Sequence, residues 1–382
     1  MKILIITNLY KNKKEPGKAE YHTQQFKALS EISDIQIVSP IPYLKFLTKE
    51  VPLEDEVDGI KVYYPRYFVM PKIMRSLYWL FFYMGVIGCV KRIKKDFDFD
   101  VVLSMWVYPD GVASLFIGKS LGIPVVIGAL GSDINLNMKF SIRRKLIAYA
   151  MNKCQNVLAV SSGLKGKMIE MGVDTDKIHV IYNGVDKELF QPLDKVQCRK
   201  ELGLPLDKKI ILHIGNHVHV KGVDILIEAV AGLSGEYCVV MVGDGNLTSQ
   251  LKEKVSSGKY RVNVLFPGRI SHNEIPVWIN AADIFCLPSR NEGHPNVIME
   301  ALACGTPVVA SKVGGIPEVI NSEDLGILVE PENVEALYQG ISSSFKRKWD
   351  RDVMCKRVEG FSWKDNAEKL KEILKEAVSR KL

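Results

Sequence analysis

Residues 284–311 read IFCLPSRNEGHPNVIMEALACGTPVVAS, and this stretch combines an apolar run, a glycine-containing loop, a helical segment and a second apolar run. Near-continuous apolarity, as in IFCL and VVAS, is typical of parallel strands that are buried on both faces. Pro295 suits the first position of a helix, and Gly305 suits its end. The stretch therefore predicts a strand–helix–strand unit, with Glu292 in the loop and Glu300 inside the helix.

The same alternation of strands and helices extends on both sides of this unit. In the second half of the chain, the apolar runs ILHIG, YCVVMVG, VNVLFPG, IFCLPS and PVVAS alternate with predicted helices near 221–233, 246–256, 273–281, 295–304 and 332–344. In the first half, predicted helices near 19–31, 73–95, 110–121, 139–153 and 162–171 alternate with predicted strands at Lys2–Asn8, Ile35–Ser39, Val101–Ser104, Val125–Gly128, Val157–Val160 and His179–Tyr182. Two successive series predict an α/β protein with two facing, doubly wound, Rossmann-like domains.

The domain boundary is predicted in the turn-rich segment 183–192, which shows little periodicity. We therefore expect one domain over residues 1–190 and a second over residues 198–362. The chain length of 382 residues suits two domains of this size. Because ligands of doubly wound sheets bind beyond the carboxyl ends of the strands, we expect a substrate in the cleft between the domains.

Composition places the chain among ordinary globular proteins, with 47% hydrophobic and 25% charged residues. The seven cysteines are scattered without a CxxC pair, which indicates a reducing cytosol and argues against zinc or a disulfide framework. The amino terminus, MKILIITNLY, enters a predicted strand at once. We therefore expect a cytoplasmic protein without a signal peptide.

The chain has a net charge of +7, and several of its basic residues lie in the segment 66–95. Its apolar run, Leu77 to Val90, is shorter than the roughly 20 residues that a membrane-spanning helix needs. Basic residues flank this run on both sides: Arg66, Lys72, Arg75, Lys91, Arg92, Lys94 and Lys95. Two interpretations stay open, a core helix with a solvated basic end and a helix that rests on an anionic membrane surface. The segment lacks the motifs of a nucleic-acid-binding protein, so we expect no nucleic-acid partner.

The loop and helix after IFCLP form the strongest candidate site. Free N–H groups at a helix start form an anion site, and here Gly293, Asn296 and Val297 would supply them to a diphosphate. A carboxylate such as Glu292 or Glu300 is a good acceptor for paired sugar hydroxyls. Lone glutamates at a helix end are usually solvated, but their loop and glycine context here favours a binding role.

A second candidate is Lys221, which precedes Gly222 at the start of a predicted helix. Its ammonium group could compensate the charge of a diphosphate leaving group. The nearby His217 and His219 lack a third ligand, so we interpret them as loop residues and expect no metal site.

The spacing of Glu292 and Glu300 resembles the paired-glutamate motif of the family-four retaining glycosyltransferases, which have the GT-B fold. The Gly215-Asn216 and Lys221-Gly222 pairs resemble further motifs of that family, as do three later segments: Val242-Gly-Asp-Gly245, Phe266-Pro-Gly268-Arg269 and Val313-Gly-Gly-Ile-Pro-Glu318. The chain is similar to members that build bacterial capsular, teichuronic or other extracellular polysaccharides.

This resemblance implies a nucleotide-sugar donor bound by the second domain. Lys221 would contact the diphosphate, Glu292 the sugar as a catalytic residue, and Glu300 the ribose hydroxyls. Backbone near Arg269 and Ile270 would meet the base, which is expected to be uracil. The final helix, within 363–382, would pack back on the first, acceptor-side domain, and the acceptor would be a lipid-linked saccharide at the inner face of the membrane.

The chain departs from the family pattern at several positions. Asn216, which we still expect to contact the donor, replaces a common arginine, while Leu130 and Met105 stand where histidines are common. A leucine cannot accept a proton, so the acceptor-side chemistry of histidine-containing members does not transfer to this chain.

Three residues remain as candidates in the first domain. The amino-terminal loop keeps one glycine, Gly17, where two are usual, and this glycine would let backbone approach the phosphates. Asp133 and His22 are candidate acceptor-side groups, with Asp133 as a candidate catalytic residue; buried capping or packing roles explain both equally well.

The predicted reaction is transfer of a sugar with retention of configuration, for which we expect no cofactor and no essential divalent cation. The alternatives are a nucleotide-sugar epimerase of the same architecture and a non-catalytic scaffold. An NAD-dependent oxidoreductase is disfavoured because the segment after the first strand, Asn8-Leu-Tyr-Lys-Asn12, lacks the G-x-G-x-x-G pattern.

Overall fold

A computed structural model describes residues 1–43, 51–70, 74–233, 237–257 and 263–380. The chain forms two compact units. The first comprises Met1–Gly184 together with the chain from Trp363 onward, and the second comprises Val185–Ser362. Each unit contains its own parallel sheet, which confirms the α/β, two-domain Rossmann-like fold class.

The first unit is built around a sheet of eight strands in the order β10-β9-β8-β7-β1-β2-β5-β4. All neighbours are parallel except β4 and β5. Its central strand β1 is apolar and fully buried from Ile3 to Ile6 because helices cover both faces. The strands of this unit are β1 (Lys2–Ile6), β2 (Asp34–Val38), β3 (Ile41–Pro42), β4 (Glu54–Val57), β5 (Ile60–Tyr63), β6 (Arg66–Tyr67), β7 (Val101–Met105), β8 (Val125–Ala129), β9 (Asn156–Ala159) and β10 (Ile178–Val180).

Five helices of the first unit follow the predicted positions to within about five residues, whereas the short helix Ser132–Asn137 was not predicted. A 3-10 turn, Arg75–Leu77, precedes the second helix, and a π-helical turn, Val107–Gly111, precedes the third. Residues 71–73, including the basic Lys72, lie outside the described residues. The helices are α1 (Glu20–Ser30), α2 (Tyr78–Asp96), α3 (Val112–Leu121), α4 (Ser132–Asn137), α5 (Ser141–Lys153) and α6 (Ser162–Glu170).

The second unit contains a six-stranded, all-parallel sheet in the order β13-β12-β11-β14-β15-β16. Its strands are β11 (Lys209–Ile214), β12 (Tyr237–Val242), β13 (Asn263–Gly268), β14 (Ile284–Leu287), β15 (Val308–Ser311) and β16 (Gly326–Val329). Its helices are α7 (Lys195–Glu201), α8 (Val223–Val230), α9 (Thr248–Ser256), α10 (Ile275–Ala281), α11 (Asn296–Ala303), α12 (Ile316–Val319), α13 (Val334–Lys346) and α14 (Arg351–Arg357).

The last helix, α15 (Trp363–Ser379), belongs to the first unit. Its buried residues recur at helical spacing, and Leu370 and Leu374 are fully buried. Burial of one such side chain stabilises a fold by about 1.5–3 kcal/mol. The amide of Gln25 on α1 donates a hydrogen bond of 2.9 Å to the amide oxygen of Asn366 on α15. Apolar burial and this buried polar contact together hold α15 in the first unit.

The boundary between the units lies earlier than the predicted first domain, which extends to residue 190. Val185 and Phe190 pack in the core of the second unit, and the Val185 N–H donates to the carbonyl of Phe361. Residues 185–190 therefore belong to the second unit. No helix among the described residues has the length and apolarity needed to cross a bilayer.

Candidate active site

The second unit has a topological switch point between β11 and β14, its two central strands. From β11 the sheet continues through β12 to β13 on one side, and from β14 it continues through β15 to β16 on the other. Loops that leave the carboxyl ends of two such strands diverge and open a crevice, which is where open α/β sheets bind ligands. Residues 215–222 follow β11, and residues 288–295 follow β14.

The structure brings Lys221 and Glu292 together in this crevice. The ammonium group of Lys221 lies 2.7 Å from Oε1 of Glu292, and the two side chains are 26% and 9% exposed. The Ser289 hydroxyl donates a second hydrogen bond of 2.6 Å to the same oxygen. In the described part of the chain, Oε2 of Glu292 makes no hydrogen bond, so this oxygen can accept one from a ligand hydroxyl.

An arginine that the sequence analysis missed joins the two loops. The guanidinium of Arg290 donates two hydrogen bonds of 2.8 Å to the two carboxylate oxygens of Asp224, and a third of 2.6 Å to the His219 carbonyl. It also pairs with Glu332. Such bidentate pairs fix geometry as well as adding stability. Arg290 thus holds the loop of Lys221 against the loop of Glu292.

Two glycines allow the close backbone approach that this site requires. Gly222 has φ +64°, and a Cβ atom there would lie 1.9 Å from the carbonyl oxygen of Pro288. Gly314 has φ +54°, and its Cβ would lie 1.9 Å from the carbonyl oxygen of Glu292. Only glycine fits both positions without displacing the backbone that carries the site.

The loops after β12 and β13 continue the same edge of the sheet. The backbone of Gly243 packs against that of Gly215, and the Gly243 N–H donates to the carbonyl of Gly268. The Asn216 side chain, predicted to contact the donor, lies on an exposed loop. Arg269 is exposed, whereas Ile270 packs against the apolar core of the second unit.

The helix start lies one residue later than the sequence predicts. Pro295, expected at the first helical position, is the capping residue, and α11 begins at Asn296. No side chain caps this end by a hydrogen bond. Asn296 and Val297 occupy the first turn and Gly293 the preceding loop, as required for the predicted anion site.

Glu300 lies in the second turn of α11, and its side chain is partly buried. Burial raises its pKa to about 8. Within the described residues, this carboxyl group has no hydrogen bond and no ion pair. A partly buried carboxylate without a protein donor is suited to accept hydrogen bonds from a bound ligand.

Two buried histidines support the site without forming a metal centre. The Nδ1 atom of His213 donates to the carbonyl of Cys286 across 3.0 Å, and burial lowers its pKa to about 3. The Nδ1 atom of His217 lies 3.0 Å from the Thr248 hydroxyl. Among the described residues, no group of three or more potential ligands is arranged to hold a metal ion.

Asp-x-Asp spacings occur in three segments of the sequence, 96–100, 174–176 and 350–352. Asp98 pairs with Lys94, and Asp100 accepts a hydrogen bond of 2.8 Å from the N–H of Lys2. Both precede β7, at the edge of the sheet opposite to the carboxyl ends of its strands. Asp174 caps the 3-10 turn that begins at Thr175. Asp350 caps α14 in the same way. Each of the three segments thus contains an aspartate with a structural partner, and the expectation of no essential metal stays a prediction.

Asp133 in the first unit makes structural hydrogen bonds, and its predicted catalytic role stays a prediction. Its fully buried carboxylate accepts hydrogen bonds of 2.8–3.1 Å from four backbone N–H groups, at 107, 130, 131 and 134. Oδ1 accepts from the turn that begins α4, and Oδ2 accepts from the N–H of Val107 in the π-helical turn. The backbone of Leu130 is one of these donors, so the leucine that replaces the expected histidine takes part in this turn.

His22 and Met105 are also buried, whereas Gly17 is open to solvent. The Nδ1 atom of His22 donates to the carbonyl of Leu9 across 2.7 Å, and burial lowers the pKa of His22 to about 4. A Cβ atom at Gly17 would meet no other atom within 4 Å. Gly17 is therefore free to approach a ligand, while His22 is a neutral packing residue.

Comparison with known proteins identifies the family. The family described as Glycosyltransferase Family 4 matches residues 44–189, and the family described as Glycosyl transferases group 1 matches residues 194–360. A Bacillus subtilis glycosyltransferase that is named for teichuronic acid biosynthesis is 31% identical over 90% of this chain and 88% of its own length. The chain belongs to these glycosyltransferases and is a transferase enzyme.

Solved structures show the same fold. Sucrose-phosphate synthase from Thermosynechococcus elongatus has a TM-score of 0.80 at 19% identity, with 99% of each chain covered. The Anabaena protein HepE, solved in complex with UDP, has a TM-score of 0.76 at 22% identity, with 98% of this chain and 100% of that chain covered. The GT-B architecture expected from the sequence is confirmed.

Proposed function

We propose that this protein transfers a sugar from a UDP-sugar to a saccharide acceptor, with retention of configuration, in the synthesis of a cell-surface polysaccharide. The observation that carries this proposal is the pairing of Lys221 with Glu292 at the switch point, beside the start of α11. The solved complexes of HepE with UDP support the choice of nucleotide. The name of the Bacillus subtilis relative supports the class of product.

The proposed donor contacts follow from the geometry of the second unit. The diphosphate would lie at the first turn of α11, where backbone N–H groups and the Lys221 ammonium group offer positive potential. Glu300 would accept hydrogen bonds from the paired ribose hydroxyls. Glu292, held by Ser289, would use its free Oε2 to orient a hydroxyl of the sugar.

In the proposed reaction the bond between C1 of the sugar and the diphosphate oxygen breaks through an oxocarbenium-like state. The acceptor hydroxyl forms its bond to C1 on the face from which the diphosphate leaves. The hydroxyl proton passes to the departing diphosphate oxygen, so no separate protein base is needed. Positioning and electrostatic stabilisation therefore carry the catalysis, which suits a first unit whose Asp133 and His22 are occupied by backbone contacts.

The acceptor side is proposed to lie in the first unit. A cavity of about 300 Å³ opens near the carboxyl ends of β1 and β2, and Asn8, Lys18, Ser39 and Tyr67 contribute to its lining. Glu15, which pairs with Lys18, also lines the cavity. Such a cavity with polar and charged walls suits part of a saccharide. We propose a lipid-linked saccharide as the acceptor and no cofactor or divalent cation for the reaction.

A panel of radiolabelled nucleotide sugars tests this function. We expect one UDP-sugar to bind and to release UDP slowly by hydrolysis in the absence of acceptor. The α or β configuration of the transferred sugar, followed by NMR, should match that of the donor. Accumulation of an epimerised nucleotide sugar without acceptor would instead favour the epimerase.

A further inference from the structure

The first unit exposes large apolar side chains in two segments that are distant in sequence. In the first segment, Met74 is 46% exposed and Leu77 is 38% exposed. In the second, Leu136, Phe140 and Ile142 are 58%, 40% and 63% exposed. Globular proteins expose single apolar residues routinely, but a concentration of this kind indicates a surface that contacts something other than water.

Both segments meet at the π-helical turn that contains Tyr108. The Tyr108 hydroxyl donates a hydrogen bond of 2.7 Å to the carbonyl of Arg75, which lies between Met74 and Leu77. The same turn contacts α5, the helix that begins at Ser141. The positive charge of Arg143 also acts on Tyr108 and opposes the rise in pKa that burial causes. Both segments thus contact the same buried turn.

The charges of these segments are of one sign. The sequence contains no Asp or Glu from residue 59 to 95, and none from residue 134 to 169. Lys139, Arg144 and Lys145 are exposed, and so is Arg75. Within the described residues, none of these four cations has an ion-pair partner. They would attract a surface of negative charge.

Aromatic and cationic groups alternate at the centre of the second segment. The guanidinium of Arg143 lies 4.0 Å from the ring centre of Phe140, and the ammonium group of Lys139 lies 5.6 Å from it. An apolar side chain that is flanked by cations matches the interface of an anionic bilayer, where rings reach the acyl boundary and cations reach the headgroups. Bare nucleic acid would match the cations but would leave Ile142 and Leu136 without an apolar partner.

We propose that this surface around Tyr108, formed by residues 74–77 and 136–145, docks on the headgroup region of an anionic phospholipid bilayer. This surface is larger than the membrane-facing helix considered for residues 66–95, because the second segment supplies three of the four exposed cations and the aromatic residue. It rests on the proposed function only where it supposes that the acceptor is lipid-linked. Donor binding in the second unit is independent of it.

Sedimentation of the full-length protein with vesicles tests this inference. We expect binding to vesicles of phosphatidylcholine with phosphatidylglycerol, weaker binding to phosphatidylcholine alone, and a decline as salt rises. The double variant Arg144→Glu/Lys145→Glu should bind the anionic vesicles at least about tenfold more weakly, given the contribution of each basic residue near a membrane surface. The variant Ile142→Ser should also bind more weakly.

A matched control reverses two exposed cations on α15 of the same unit, in the double variant Lys369→Glu/Lys375→Glu. Its vesicle binding should stay within about twofold of the wild type, because these cations lie outside the proposed surface. Thermal unfolding and hydrolysis of the nucleotide sugar should be unchanged in all variants. Equal losses in the two double variants, or failure of the wild type to bind anionic vesicles, would overturn the inference while leaving the donor proposal intact.

Discussion

Glu300 has a carboxyl group whose burial raises its pKa to about 8, without a protein donor in the described structure. If ribose hydroxyls donate to this group, they bind its ionised form, so donor binding competes with protonation. The affinity for UDP should therefore rise as pH increases from about 6.5 to about 8.5 and level off above that. Calorimetry in buffers of different ionisation enthalpy should show proton release on binding below pH 8.

The variant Glu300→Gln separates this effect from the titration of UDP itself. A glutamine has no proton to lose at this position, so the extra pH dependence should disappear. The affinity of the wild type for a 2′,3′-dideoxy analogue of UDP should also lack the extra pH dependence, because this analogue has no ribose hydroxyls to donate to Glu300. An unchanged pH profile in Glu300→Gln would rule out Glu300 as the acceptor of the ribose hydroxyls.

Gly222 and Gly17 provide a second test at single residues. Gly222→Ala places a Cβ atom 1.9 Å from the Pro288 carbonyl at a positive φ, so the loop must move. We expect a loss of about 1–3 kcal/mol in the free energy of unfolding, together with weaker UDP binding. Gly17→Ala meets no atom within 4 Å and should leave stability within about 0.5 kcal/mol. Urea denaturation of both variants would show the contrast, and equal stabilities would contradict it.

The pairing of Lys221 with Glu292 was predictable, because both residues follow strands that lead to the same edge of a parallel sheet. The contributions of Ser289 and Arg290 were not predicted. Arg290 pairs with Asp224, 66 residues away, and neither residue lies in a periodic pattern that specifies its partner. Only the tertiary structure shows that an arginine next to the glutamate loop fixes the lysine loop.

At the scale of elements, the two site loops depend on each other through Arg290. Arg290→Gln removes the bidentate contact with Asp224 and the ion pair with Glu332. Since Arg290 is 16% exposed, we expect a moderate loss of about 1–3 kcal/mol in stability. UDP affinity should also fall, although Arg290 itself is not proposed to touch the ligand. Glu332→Gln, which leaves the Asp224 contact intact, should have a smaller effect in both thermal unfolding and calorimetry.

The strands and helices that carry the second unit's site were predictable to within a few residues. The hairpin of β4 and β5 was missed because Glu54–Val57 is charged and exposed, unlike the apolar strands that the pattern search favours. A signal was present: Asp58 and Gly59 both have positive φ, and an Asp-Gly pair is typical of two-residue hairpin turns. Buried parallel strands are thus easier to recognise than a charged edge strand such as β4, in which two of the four residues are exposed.

At the scale of the whole molecule, the proposed donor site lies in one unit and the proposed lipid-facing surface in the other. The chain crosses between the units twice, near Gly184 and near Ser362, and α15 returns to the first. The return of α15 was expected from the family resemblance. The 3.6-residue apolar period of α15 alone indicates that one face of the helix packs, but it does not specify the surface on which that face packs.

The central claim is that Lys221 holds a nucleoside diphosphate at the switch point of the second unit. Calorimetric titration of UDP into the wild type, Lys221→Met and Lys209→Met tests it most directly, because Lys209 is an exposed lysine at the opposite end of β11. We predict that one UDP binds per chain. The affinity for UDP should fall roughly 10–100-fold in Lys221→Met, because a charge-assisted contact of about 1.5–3 kcal/mol is lost. In Lys209→Met the affinity should fall by less than about twofold. A folded Lys221→Met protein that binds UDP as tightly as the wild type would contradict the claim.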